Sequence, residues 1–248
     1  KKWINNTLGA SIYLLSGNVF TWKTQHNVLH HSYTNVYGVD EDLDTRGLLR
    51  LHPEEKYKSI HKYQHIYATF LYGLLTINWL LTKDFTQLYR YHKLGVAGNN
   101  NKTRELINII FWKIAYFVIF LGLPVYVGGY SWGMVILGVV LAHFLAGILL
   151  SIVFQLAHVM PDVSHPIEED NKTEHSWAVL QLRTTANFST KSRFVTWFAG
   201  GLNFQIEHHL FPNISHIHYP KIAEIVRQTA QEMKLPYYEY KTFWGATV

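Results

Sequence analysis

The stretch Trp22 to Asn35 reads W-K-T-Q-H-N-V-L-H-H-S-Y-T-N and packs three histidines, His26, His30 and His31, into six residues. Wound as an α-helix, it places His26 and His30 on one face and turns His31 about 100° away. Three imidazoles so placed suit two neighbouring metal ions. Imidazole nitrogen binds iron, zinc, copper or nickel, and the 248 residues include no Cys, so thiolate sites and Cys-ligated clusters are excluded. The ligands must be nitrogen or oxygen.

A lone histidine is ordinarily a surface or satisfied core residue, but a second cluster lies far downstream. In G-G-L-N-F-Q-I-E-H-H-L-F-P-N, His208 and His209 are adjacent, and Gln205 stands three residues before His208, beside it on a helix. His216 and His218 follow in the loop N-I-S-H-I-H-Y-P, where they are expected to order the site or join it. His61 and His65 also have helical spacing, but their Lys- and Tyr-rich surroundings read as a membrane-surface anchor. His165 and His175 are expected to be exposed. Asp40, Asp42 and Asp44 alternate as in a calcium loop, yet Thr45 takes the place of its glycine and Leu51 that of its closing Glu. A solvated turn is preferred there over carboxylates that orient nearby histidines.

The elements that must position these clusters follow from hydropathy. The chain is 48% hydrophobic and 16% charged, and its length suits one sizeable domain over 1–248. Residues 3–22 mix apolar side chains with Gly and Asn and read as interfacial. Residues 66–81 are apolar for only 16 positions, too few for a spanning helix. Residues 107–127 carry a single charge, Lys113, and are expected to span; a turn at 128–131 leads into 132–160, which has no formal charge. As a helix the latter is about 43 Å long, beyond a hydrocarbon core of roughly 30 Å. Its last turns, with Gln155 and His158, should therefore emerge into water, while His143 lies about 22 Å further back. His158 is the expected ligand and His143 is not.

Of the 22 Lys and Arg, thirteen precede residue 107, one is Lys113 and eight follow residue 160. The positive-inside preference puts both flanks in the cytoplasm, and two crossings let both histidine clusters meet on that side. The expected fold is an all-α integral membrane protein with two full spans and a cytoplasmic helical cap, residues 161–248, in which Ile222, Ile225, Val226, Ala230 and Met233 mark an amphipathic helix. The net charge of +5 is scattered, with no basic stripe, so nucleic acid is not an expected partner. The opening K-K-W-I-N-N has neither Met nor the apolar core of a signal peptide, as expected of a fragment.

The segments H-N-V-L-H-H-S-Y-T-N, F-Q-L-A-H-V and N-F-Q-I-E-H-H-L-F-P-N-I-S-H-I-H-Y-P resemble those of membrane fatty acyl desaturases, particularly the front-end branch, and the likeness covers nearly the whole chain. That family carries three histidine boxes around a non-haem centre of two iron ions. The resemblance implies that the second box is His26, His30 and His31, that the third includes His208 and His209, and that His158 is the extra ligand after the last membrane helix. Gln205 stands where other branches have histidine, as in front-end enzymes. The family's first box should precede Trp22 and is expected upstream of Lys1.

The same resemblance implies the activity: dioxygen, two irons and two electrons remove two hydrogens from an acyl-lipid or acyl-CoA and leave a cis double bond. No haem-binding module is present, so a separate donor is expected, a ferredoxin or a small haem cytochrome with its reductase. The chemistry agrees with the residues, because cleaving an unactivated methylene C–H needs a redox metal and not an acid or a base. An acyl-chain hydroxylase on the same scaffold and a non-catalytic metal-binding membrane protein are the competing readings.

Overall fold

In the computed structural model, which describes residues 1–156, 158–167, 176–243 and 245, two helices are long and apolar enough to cross a membrane, Lys102–Tyr126 and Trp132–Gln155. His175, expected to be exposed, lies outside the described residues. The chain forms two units, Lys1–Val28 with His65–Ser151 and Leu29–Gln64 with Ile152–Val248.

The first unit holds the apolar helices. Asn101 starts the first of them, its side chain accepting a hydrogen bond from the Arg104 amide, with Glu105 in the opening turn. Pro124 lacks an amide hydrogen and would crowd the carbonyl four residues back. Just before it, over Val118–Gly122, the winding widens to a π-helix, which relieves that conflict. The 66–81 stretch is helical but interrupted: Gln64–Gly73 stops at Leu74, Leu75–Asn78 follows, and Trp79–Lys83 is again π-wound. Gly73 and Gly147 let this segment approach the second apolar helix, since a Cβ on Gly147 would lie 2.6 Å from the Tyr72 carbonyl oxygen.

Lys113, the one charge foreseen in the first span, is buried against Asp84 at 2.9 Å and also donates to the carbonyls of Ser16 and Trp79. Asp84 in turn accepts from the Thr21 hydroxyl at 2.7 Å and the Trp79 indole at 3.1 Å. This node fixes Asn18, which caps the Val19–Lys23 helix and donates to Asn108 of the first apolar helix. The segment leading to His26 is thereby tied to the first apolar helix. Deeper in the unit the Tyr116 hydroxyl meets Nε2 of His143 at 2.7 Å, a polar pairing that accounts for this histidine without a metal.

The second unit corrects several expectations. The second apolar helix ends at Gln155 and not at residue 160, because Leu156 and Met160 turn into a protein core with Val163, Ala186 and Phe188, ahead of Pro161. The fold is not purely helical: Ala186–Phe188 pairs in parallel with Tyr238–Tyr240. The helix Tyr219–Glu232 buries Tyr219, Ala223, Val226 and Ala230, one stripe at helical spacing, whereas Ile225 and Met233 face outward.

Removing one partner of a buried ion pair leaves the other charge uncompensated, at a cost of about 3–5 kcal/mol. Asp84→Ala should therefore lower the thermal midpoint of the detergent-solubilised protein sharply. The double change Asp84→Leu with Lys113→Met should restore much of that loss.

Candidate metal centre

The first histidine cluster is not wound as an α-helix. Thr24–His30 is a π-helix, so the 100° separation expected for α-winding does not apply. His26 ends in the first unit, where its ring stacks on Trp22 at 4.7 Å. His30 and His31 belong to the second unit, and both are buried.

Within the second unit the expected ligands converge. His30, His158 and His209 each offer a nitrogen, all within 4.8 Å of one another, and all three residues are buried. His31 and His208 lie side by side with ring centroids 4.7 Å apart, and His31 also stacks on His209 at 4.3 Å. Five imidazoles from three separate parts of the chain thus occupy one place.

Hydrogen bonds from a surrounding layer set their orientation. Nδ1 of His30 meets Asp40 at 2.9 Å and Asp42 at 3.3 Å, so Nδ1 keeps its proton and Nε2 is the nitrogen that can be freed for a metal. The turn reading of these aspartates is corrected here: Asp40 is buried, and it also accepts from the Asn35 amide at 2.9 Å and the Asp42 amide at 3.0 Å. Asn35 takes a positive φ of 59°, which Asn tolerates, and its side chain donates to the carbonyls of His158 and Thr184. One residue therefore joins the first cluster to the segment carrying His158. Nδ1 of His209 meets the Gln181 side-chain oxygen at 2.9 Å and the Thr34 hydroxyl at 3.1 Å, which directs its Nε2 lone pair inward.

The helix that carries His208 and His209, Gln205–Leu210, is held from the β-pair. Asn187 accepts from the Ile206 amide and donates to Glu207, which also accepts from the Tyr237 hydroxyl at 3.0 Å. Glu207 is completely buried, and burial raises its carboxyl above the ordinary range against the pull of Asn187 and Tyr237. Gln205 is buried at the head of this helix. His216 and His218 are corrected: both are exposed, and Tyr219, not either of them, reaches toward Nδ1 of His208 at 3.5 Å.

Other histidines have ordinary explanations. His61 accepts the Lys58 amide and meets the Gly47 carbonyl, while His65 is exposed. His165, expected to be exposed, is half-buried beside the Val163 carbonyl and His52. Sequence reasoning missed Thr34, Asn35, Gln181, Asn187 and Glu207. The first two and Glu207 sit inside the quoted motifs, but nothing in their spacing signals contact.

The electrostatics are uneven. Burial and the neighbouring His208 and His30 hold His31 down to about 3, burial and His30 hold His208 down to about 4, and His158 and His209 are pushed well below the usual histidine range. His30 behaves oppositely: burial works against its charge, but Asp40 and Asp42 outweigh it and raise the group to about 9. Most of the cluster is therefore neutral with lone pairs available, which is what metal binding requires. The donor set fits a metal in another respect. Among the described residues both ring nitrogens of His158 and Nε2 of His209 are buried with no hydrogen bond of normal geometry.

With this geometry established, comparison with known proteins gives a consistent answer. The family model for fatty acid desaturases matches residues 1–241, and the chain belongs to that family. It is 39% identical over 96% of its length to the acyl-lipid (8-3)-desaturase of Physcomitrium patens, of which it covers 50%. It is 35% identical over 98% of its length to the sn-1 linoleoyl-lipid 6-desaturase of a Synechocystis species, covering 68% of that protein, and 34% identical over 96% to the acyl-lipid (8-3)-desaturase of Mortierella alpina, covering 54%. The chain thus spans about half to two thirds of the length of these relatives. They bear out the front-end resemblance. No solved structure matches the chain significantly.

Two measurements test the site without metal. Between pH 3 and 6.5 His31 and His208 bind protons when unfolded but stay neutral when folded, so their part of the stability should rise with pH there, with the raised Glu207 carboxyl acting in the opposite sense. Between 6.5 and 9 the folded chain binds more, through His30, and stability should fall. Thermal midpoints of metal-stripped protein should therefore peak near pH 6.5, and a monotonic profile would contradict the assignment. Asn187→Ala, which strands the Ile206 amide and Glu207, should cost about 1–3 kcal/mol per unsatisfied group, read by denaturant unfolding.

Proposed function

We propose that this chain is the iron-binding, catalytic portion of a fatty acyl desaturase of the front-end type, inserting a cis double bond into the acyl chain of a lipid. The observation that carries the reading is the convergence of a nitrogen from each of the buried residues His30, His158 and His209 within 4.8 Å in a member of the desaturase family. The proposed ligands are His26, His30, His31, His158, His208 and His209. His26 enters on its place in the sequence motif. Gln205, buried next to the third box, is a supporting residue.

Two iron ions, when bound, would supply the dioxygen-dependent oxidation that an unactivated methylene demands. The donor set of nitrogen and oxygen without sulfur suits iron in that role. Everything else falls to the chain's own residues. Asp40 engages Nδ1 of His30, and Gln181 and Thr34 engage Nδ1 of His209, which leaves Nε2 of each ring to hold the metal. To bind a cation, His30 must release the second proton that Asp40 and Asp42 favour; the same carboxylates then increase its basicity as a ligand. Burial keeps water from the site. The overall change consumes dioxygen, two protons and two electrons, removes two hydrogens from adjacent carbons and yields two waters, with the two electrons coming from an electron donor.

An acyl group esterified in a lipid is the proposed substrate, supported by the names of the acyl-lipid and linoleoyl-lipid relatives. The basic residues flanking both apolar helices support an active site on the cytoplasmic face of the membrane.

Expression of the complete reading frame in a host of defined lipid composition, followed by mass spectrometry of its fatty acids, should show a new cis double bond in lipid-esterified chains. A new hydroxyl group, or iron retention with no lipid change when dioxygen and a donor are supplied, would overturn the reading. In the same system His30→Ala and His208→Ala should lose iron and activity while His143→Ala keeps iron. Asp40→Asn should weaken iron binding by roughly 10- to 100-fold, read by metal titration.

A further inference from the structure

The short helix Arg193–Phe198 in the second unit displays aromatic rings that its core does not use. Phe194 is 69% exposed, Trp197 76% and Phe198 52%. Phe194 lies 6.1 Å from each of the other two rings, so they form one patch. Their outward direction is fixed, because Val195 on the same helix packs into the cluster of Leu156, Met160 and Phe188.

The patch extends beyond the helix. The chain leaves Phe198 through Gly200 and Gly201, both at positive φ, and Gly201 lies so close to His216 that a Cβ there would come within 2.4 Å of that side chain. Adjacent to His216 is Ile217, itself 69% exposed. Among Lys, Arg, Asp and Glu between residues 190 and 221, the exposed ones are Lys191, Arg193 and Lys221; the one acid, Glu207, is buried.

We propose that this surface docks on a lipid bilayer, seating Phe194, Trp197, Phe198 and Ile217 at the boundary between headgroups and acyl chains, with Lys191, Arg193 and Lys221 against anionic headgroups. Exposed Trp and Phe beside exposed Lys and Arg have the composition of a membrane interface. Soluble surfaces rarely leave such a contiguous apolar patch in water. The same chain carries two helices of membrane-crossing length, so a bilayer is within its reach. The second unit would then have a membrane attachment of its own, whether or not a metal is bound.

The absence of Cys lets a single introduced cysteine report one position. Trp197→Cys, Ile217→Cys and, on the exposed side of the Tyr219–Glu232 helix, Glu224→Cys would be placed in the full chain and labelled with an environment-sensitive fluorophore. The protein would then be reconstituted into nanodiscs of phosphatidylcholine and phosphatidylglycerol, with or without a nitroxide on the acyl chains. Labels at 197 and 217 should emit to the blue and lose most of their intensity to the nitroxide, while the label at 224 should do neither. Lys191→Glu with Arg193→Glu should weaken the quenching in anionic discs. Water-like, unquenched emission at both 197 and 217 would overturn the proposal, and so would a blue shift without nitroxide quenching, which would assign the patch to a protein partner. Should Trp197→Cys lose its cooperative thermal transition, Phe198→Cys reads the same surface.

Discussion

An imidazole serves as a metal ligand only while it is neutral and its lone pair is aimed; here burial keeps four of five clustered histidines neutral, and hydrogen bonds to Nδ1 orient His30 and His209. Packing His30, His31, His158, His208 and His209 together removes them from water and sets each against its neighbours, so the cost of a second charge in the group is high. Four stay neutral, and the fifth, His30, is the one that a carboxylate touches. The rest of the second unit holds these rings in place. Asp40, Gln181 and Thr34 hold ring nitrogens by their protons, Asn35 joins the backbone of the first cluster to that of His158, and Asn187 with Glu207 and Tyr237 holds the helix that presents the last pair. These supports are buried polar groups that satisfy one another, the condition under which such groups can be kept inside a protein.

The first unit solves a related problem with different means. Its helices are apolar enough to cross a membrane, yet they enclose Lys113, Asp84, Tyr116 and His143. In each case polar atoms pair across elements, and the pairing fixes how the elements sit. The Asp84 node ties the N-terminal segment, through Thr21 and Asn18, to the first apolar helix. The segment that leads into His26 is thus anchored by directional bonds and not by apolar contact alone.

Features governed by local pattern were legible in the sequence. Histidine spacing marked both clusters, and uninterrupted hydropathy marked two apolar helices within a few residues of their observed limits. The motifs around the histidines pointed to the desaturase family that the comparisons establish. Features governed by burial were not legible. Asp40 looks the same in a solvated turn as it does beneath an imidazole, and Leu156 and Met160 are equally suited to lipid and to a protein core. The strands of the parallel pair are three residues long, too short for alternation to register, and their partners lie about fifty positions apart. Ile225 and Met233 fit a helical stripe on paper, but the core chose the stripe of Tyr219, Ala223, Val226 and Ala230 beside it.

The amino-acid sequence by itself determined the ligand chemistry, nitrogen and oxygen without sulfur, and the helices long and apolar enough for a bilayer, because residue type and local periodicity are properties of the chain alone. Which histidines meet, which nitrogen of each carries the proton and which carboxylate holds it were decided only by tertiary structure. Those outcomes depend on groups more than a hundred residues apart being removed from water together, and no local pattern encodes that event.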